Sequence, residues 1–206
     1  MKLFKYKDYN DYIENQVEAN KRKINNSYVD PNSLGSLINY LYEELNIEPN
    51  LILCHGTRRG LEQQYFIDYY GALNLKPEVI GTEISPTAKD YPHTIQWDFH
   101  DTKPEWIGNT DIIYTNSFDH SCKPEECLDI WMSCLSEKGV CVIEYSPICD
   151  NKSQAADPFG ATLDEYKSFI SKKYNIVDIL KNDGIEDKGQ SYRGVRYFIV
   201  ISNNHG

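Results

Sequence analysis

The chain has 206 residues, 40% of them hydrophobic and 25% charged, which is the range of one compact soluble domain with a single core. A formal net charge of -10 and a sequence pI of about 4.9 leave no overall basic surface for phosphate backbones, so no nucleic-acid partner is expected. No apolar run approaches the roughly 20 residues that span a bilayer, and the opening MKLFKYKDYNDY lacks a signal peptide's apolar stretch, so a cytoplasmic protein without a membrane partner is expected.

Apolar residues at Tyr9, Tyr12, Ile13, Val17 and Ile24 predict an amphipathic helix over about 8–24. A second helix follows the turn DPNS, with Ser33 as its expected cap and Leu34, Ile38, Leu41, Tyr42 and Leu45 on one face. From Asn50 the pattern changes to short apolar strands alternating with helical stretches, the mark of parallel βαβ units. The strands are expected at 51–54, 78–82, 94–97, 111–115 and 140–145, followed by two closing strands at 176–180 and 196–201. Between them, Leu61, Tyr65, Phe66 and Tyr69 form one helical stripe, and Cys127, Leu128, Trp131, Cys134 and Leu135 another that Pro124 starts and Gly139 ends. Thr162 with Glu165 reads as a capping box for a last helix. The six cysteines form no CxxC pair and do not sit at zinc-finger spacing from the histidines, so they read as reduced, mostly buried thiols.

In an open parallel sheet, ligands bind beyond the carboxyl ends of the strands, where the strand order reverses. The first such loop is CHGTRRG, where Gly56 lets the backbone approach a ligand and the following helix offers free N–H groups. Glu83 ends the second strand, and its two carboxylate oxygens match a vicinal ribose diol. Asp98 with Phe99, after the third strand, suits an adenine: the carboxylate accepts its exocyclic amine and the ring covers its face.

This order of features, with TDIIYTNSFDHS and CLSEKGVCVIEY downstream, resembles the class I S-adenosylmethionine-dependent methyltransferases, most strongly over 51–145. The resemblance implies a Rossmann-like α/β fold: a mostly parallel seven-stranded sheet with helices on both faces and an antiparallel last strand. Residues 1–47 would then add two helices as a lid or packing segment to a single domain. It also implies S-adenosyl-L-methionine as cofactor, with His55, Gly56 and Thr57 along its methionine part. Glu83 would take the ribose, Asp98 with Phe99 the adenine, and Asn116, Ser117 and Phe118 the underside of the sulfonium, with Ile84 also among the cofactor-binding residues. The family's G-x-G-x-G run is reduced here to Gly56 and Gly60, and its strand-one acid is missing. Glu62 is the replacement candidate for the cofactor's amino group and Arg58 for its carboxylate. A nicotinamide-dependent oxidoreductase would prefer a full G-x-G-x-x-G on this fold, and is the weaker alternative.

Methyl transfer needs an acceptor aligned in line with the methyl carbon, and a hydroxyl acceptor also needs a base. Asp119 and His120 follow the fourth strand at the face where the methyl group would emerge, and His120 can accept a proton at cellular pH. The competing reading makes Asp119 or Ser121 the cap of the helix at Pro124. Glu144, Tyr145, Ser146, Asp157, Tyr192 and Arg193 are further candidates for the acceptor pocket. Some sugar and catechol methyltransferases hold a divalent metal near this position, for which 119 and 144 would be the carboxylates here; metal-free transfer is preferred. The expected acceptor is a hydroxyl of a sugar, glycan or other small polar molecule. A small-metabolite or protein methyltransferase, or a cofactor-binding module without activity, would share this core.

Overall fold

The computed structural model describes residues 1–147, 150, 152–182 and 195–204. In chain order its elements are β1 (Lys2–Leu3), α1 (Tyr9–Arg22), α2 (Pro31–Glu43), β2 (Leu51–His55), α3 (Leu61–Ala72), β3 (Glu78–Glu83) and β4 (Thr94–Gln96). They continue with β5 (Thr110–Thr115), α4 (Pro124–Cys134), β6 (Leu135–Tyr145), β7 (Phe159–Gly160), α5 (Leu163–Ile170), β8 (Asn175–Asn182) and β9 (Arg196–Ser202). Seven strands form one sheet in the order β4-β3-β2-β5-β6-β9-β8. The first five are mutually parallel, while β9 runs antiparallel to both β6 and β8. The order reverses between β2 and β5, and the cleft described below opens at their carboxyl ends.

The two-residue period of the strands divides the core between two faces. Ile52, Cys54, Ile112, Tyr114, Val140 and Val142 face α2 and α3, which contribute Leu34, Leu37, Ile38, Leu41, Phe66 and Tyr70. Leu53, Ile113, Cys141, Ile143 and Ile199 face α4 and α5, which contribute Leu128, Trp131, Tyr166 and Ile170. Helix α2 is therefore part of the core and not a lid. No described helix is long and apolar enough to cross a membrane.

Several local expectations are corrected. Helix α2 starts at Pro31, and its cap is Asp30, whose carboxylate accepts from Ser33 N at 2.7 Å; Ser33 itself is buried in the first turn. Helix α4 stops at Cys134 rather than Gly139, because Leu135 turns to extended backbone and opens an 11-residue strand. Gly139 lies inside that strand, where a Cβ would sit 2.6 Å from the Thr110 carbonyl, beside the register shift between β5 and β6. β4 ends at Gln96, leaving Trp97 outside. The capping box is present: Thr162 and Glu165 exchange side-chain-to-backbone hydrogen bonds. The face of α1 that packs inward is Tyr12, Gln16, Ala19 and Asn20; Ile13 and Val17 are only half-buried.

Candidate active site

β2 delivers the chain to the turn 56–60, which takes left-handed backbone three times: Gly56 at φ +72, Arg58 at φ 50 and Gly60 at φ +74. A Cβ on Gly56 would lie 2.7 Å from Ser117 Cβ, so glycine is what lets β2 and β5 end side by side. Arg58 stands where the motif would carry its middle glycine and adopts the same hand, at a cost of about 1–2 kcal/mol. Its N–H donates to Glu83 Oε2 at 3.0 Å, and its guanidinium lies 4.6 Å from the Tyr28 ring and donates to the Asn26 carbonyl at 3.3 Å. The turn thus keeps its shape without the glycine.

Three acids come together around this turn. Glu83 is buried, its oxygens accepting from the N–H groups of Arg58 and Ser85, both at 3.0 Å. Burial nevertheless raises its pKa above the ordinary carboxylate range. Asp98 accepts from His100 Nδ1 at 2.9 Å on one oxygen and from the Tyr9 hydroxyl at 2.7 Å on the other. Burial would raise Asp98, but these hydrogen bonds outweigh it and hold the carboxyl below its usual range. Glu62, in the first turn of α3, is 6% exposed. Its Oε1 accepts from Asn116 Nδ2 at 3.2 Å, while Oε2 is buried with no partner, and burial pushes its pKa up to about 7.

Two adjoining cavities share Gly56, Arg58, Ser117, His120 and Lys23. The narrower is walled by Glu83, Ile84, Asp98 and Phe99 and closed from above by Tyr12, Gln16, Ala19 and Asn20 of α1. The larger, about 310 Å³, takes in Thr57, Glu62, Asn116, Asp119 and Asp157. Ser117 Oγ donates to the Gly56 carbonyl at 3.1 Å, tying the β5 loop to the glycine turn. Two expected residues lie elsewhere. His55 is buried against Trp131, ring centroids 4.7 Å apart, bonded to Thr82 Oγ1 at 2.8 Å, and its pKa is pushed down by burial to about 3. Phe118 is buried edge-on to Trp131, Phe159 and Tyr166. Neither side chain lines either cavity.

At the floor of the larger cavity, His120 Nε2 lies 3.9 Å from Asp119 Oδ1 and 3.5 Å from Asp157 Oδ1, and Lys23 Nζ stands 3.6 Å from Asp157 Oδ1. Burial would raise Asp157, but His120, Gln154 and Lys23 hold it below the usual range. Asp119 does not cap α4: Lys123 is the N-cap without a side-chain bond, and the N–H of Lys123 goes to Ser121 Oγ at 3.2 Å. Glu144 is committed elsewhere, with Tyr114 OH on Oε2 at 2.5 Å and Arg196 on Oε1 at 2.8 Å. Glu144 and Asp119 both line a smaller recess with Tyr145 and Ser146, but both Glu144 oxygens are already held by Tyr114 and Arg196. Tyr192 and Arg193 lie outside the described residues.

Asn20 and Gln16 carry no sequence signal as site residues, yet α1 buries both over the cleft. Asn20 Oδ1 accepts from Thr87 Oγ1 at 3.0 Å, and its Nδ2 is buried without a partner.

Neither the family models nor the characterised proteins contain a match by sequence. Solved structures do match. The N-methyltransferase NodS from Bradyrhizobium japonicum WM9, in complex with S-adenosylhomocysteine, superimposes with a TM-score of 0.65 at 12% identity, over 93% of this chain and 100% of that one. The chain shares the fold of that methyltransferase. The Burkholderia thailandensis 1,6-didemethyltoxoflavin-N1-methyltransferase matches with a TM-score of 0.60 at 12% identity, over 94% and 85% of the two chains. The citrinin polyketide synthase CMeT domain matches with a TM-score of 0.54 at 13% identity, over 75% of this chain and 46% of that one. In this methyltransferase fold the two cavities sit at the switch point between β2 and β5, where the topology favours a ligand.

Proposed function

We propose that this protein is an S-adenosylmethionine-dependent methyltransferase acting on a small polar acceptor, with a sugar or related hydroxyl as the preferred group. The observation that carries this reading is the distribution of unmet polar groups along one cleft. Glu62 Oε2 is a buried acceptor with no donor, suited to an ammonium; Asn20 Nδ2 is a buried donor with no acceptor, in the cavity that Glu83 also lines, suited to ribose hydroxyls. Asp98 and Phe99 complete an adenine seat once the Tyr9 hydroxyl gives way, and Arg58 with Arg59 supplies positive charge for a carboxylate. Bound there, the cofactor supplies a methyl group already activated on a sulfonium, so the chain's own task is to align the acceptor, exclude water and take a proton.

Asp119 and His120 form the proton-handling group, His120 lining both cavities and Asp119 the larger one. Asn26, Gln154 and the carboxylates of Asp119 and Asp157 offer hydroxyl partners beside it. An amine acceptor is the second reading: two carboxylates flank Nε2, and two of the structurally similar proteins are named as N-methyltransferases. Calorimetry with S-adenosylmethionine is the first test, and no binding at millimolar cofactor removes the proposal. A labelled-methyl transfer screen over sugars, hydroxylated metabolites and small amines then separates the two acceptors. His120→Ala and Asp119→Ala are expected to lower turnover with little change in cofactor affinity; unchanged turnover in both removes the base assignment.

A further inference from the structure

We infer that Gln16 of α1 is a positioning residue that fixes the tautomer of His120, placing the proton on Nδ1 and presenting Nε2 to the acceptor as the lone-pair atom. The inference rests on the reading of His120 as base for its catalytic meaning, and on hydrogen-bond logic alone for its structural content.

Tyr6 donates its hydroxyl proton to the Ala155 carbonyl at 2.6 Å, so toward Gln16 its oxygen only accepts. Gln16 Nε2 faces that oxygen at 3.4 Å, the Ala155 carbonyl at 3.2 Å and the Ala156 carbonyl at 3.3 Å. All three are acceptors, so the amide nitrogen must stand there, and turning the amide over would set its oxygen against two carbonyls. The remaining atom, Oε1, lies 2.9 Å from His120 Nδ1. An amide oxygen cannot donate, so Nδ1 carries the hydrogen. In the neutral ring Nε2 is then the free base, at the wall of the 310 Å³ cavity.

The charged groups around the ring come from every side of the cleft. Asp119 precedes it in the same loop, Asp157 comes from the segment before β7, Lys23 from the end of α1, Glu83 from the end of β3 and Arg58 from the glycine turn. As an acceptor oxygen bonds the methyl carbon, its proton passes to Nε2 and the carbon–sulfur pair stays on sulfur. The imidazolium so formed keeps Nδ1–H on Gln16 and gains Nε2–H toward Asp157 and Asp119. The opposite tautomer would point an N–H at the acceptor and offer it no base.

The test is ¹⁵N NMR on histidine-labelled full-length protein saturated with S-adenosylhomocysteine, with His120 assigned by loss of its signals in His120→Ala. Above the titration of the ring, the expected wild-type spectrum has a protonated-type Nδ1 and an acceptor-type Nε2. Gln16→Leu is expected to abolish that preference. A wild-type spectrum with hydrogen on Nε2 overturns the inference even if a variant fails to fold, and so does a Gln16→Leu protein that keeps the wild-type pattern. These readouts need no acceptor, so a failed transfer screen and a failed tautomer assignment are separate results.

Discussion

Glu62→Gln tests the cofactor seat and the electrostatics of the cleft together. Burial lifts this carboxyl to about 7 from an ordinary 4.5, so between those values the folded protein holds a proton that the unfolded chain has released. The associated stability is full below pH 4.5 and is lost as the pH rises through 7, by about 3 kcal/mol in all. Glutamine removes the titration, so urea unfolding without ligand is expected to show similar stabilities near pH 5 and a variant more stable by about 2–3 kcal/mol at pH 8. Ligand binding runs the other way. The amino group of S-adenosylhomocysteine would meet a neutral amide instead of a carboxylate, and loss of one charge-assisted hydrogen bond, about 1.5–3 kcal/mol, weakens Kd roughly 10- to 100-fold at pH 8 by calorimetry. A variant that binds as tightly as wild type, with a stability difference independent of pH, would refute the reasoning.

Replacing Arg58 by Gly and by Ala removes the same guanidinium contacts, so the difference between the two variants isolates the left-handed backbone at φ 50. The glycine protein is expected to be more stable by about 1 kcal/mol in urea, and equal stabilities would show that the turn relaxes. Arg196→Met leaves Glu144 buried without its cation and is expected to cost about 3–5 kcal/mol, while adding Glu144→Gln recovers part of the loss; additive losses would mean the pair is not coupled. Tyr9→Phe frees one oxygen of Asp98 and is expected to tighten S-adenosylhomocysteine binding about fivefold in calorimetry, with weaker binding counting against Asp98 as the adenine acceptor.

The strand positions were legible because both sheet faces are buried and the strands are short apolar runs between turn residues, which is also why Glu83 and Asp98 could be placed at strand ends. The same period of two held the correction for His55: it lies two residues beyond Leu53, on the face that α4 covers with Trp131, and so it belongs to the core. The α4–β6 junction was hidden, since Trp131, Cys134 and Leu135 carry the helical stripe across it and Gly139 offers a misleading stop. Gln16 and Asn20 escaped notice for a different reason. A search for apolar periodicity passes over polar side chains that become buried by hydrogen bonding, and Gln16 meets its partners only where 155–156 and His120 fold back onto α1. The pairing of His120 with Asp157 is likewise set by tertiary structure, with 37 positions separating them in the chain.

Helix α1 joins these features into one device. Tyr9, Gln16 and Lys23 are spaced by seven, two helical turns, so they fall along one line of the helix, and each meets a different functional group: Asp98, His120 and Asp157. The three contacts make unequal demands. An adenine amine at Asp98 competes with the Tyr9 hydroxyl, whereas the tautomer of His120 requires Gln16 to stay where it is. On the proposed function, cofactor entry and base preparation are compatible only if Tyr9 yields while Gln16 remains seated. Tyr9 is 38% exposed and Gln16 6%. On that reading, the side chain that adenine would displace is the exposed one, and the side chain on which the imidazole depends is buried.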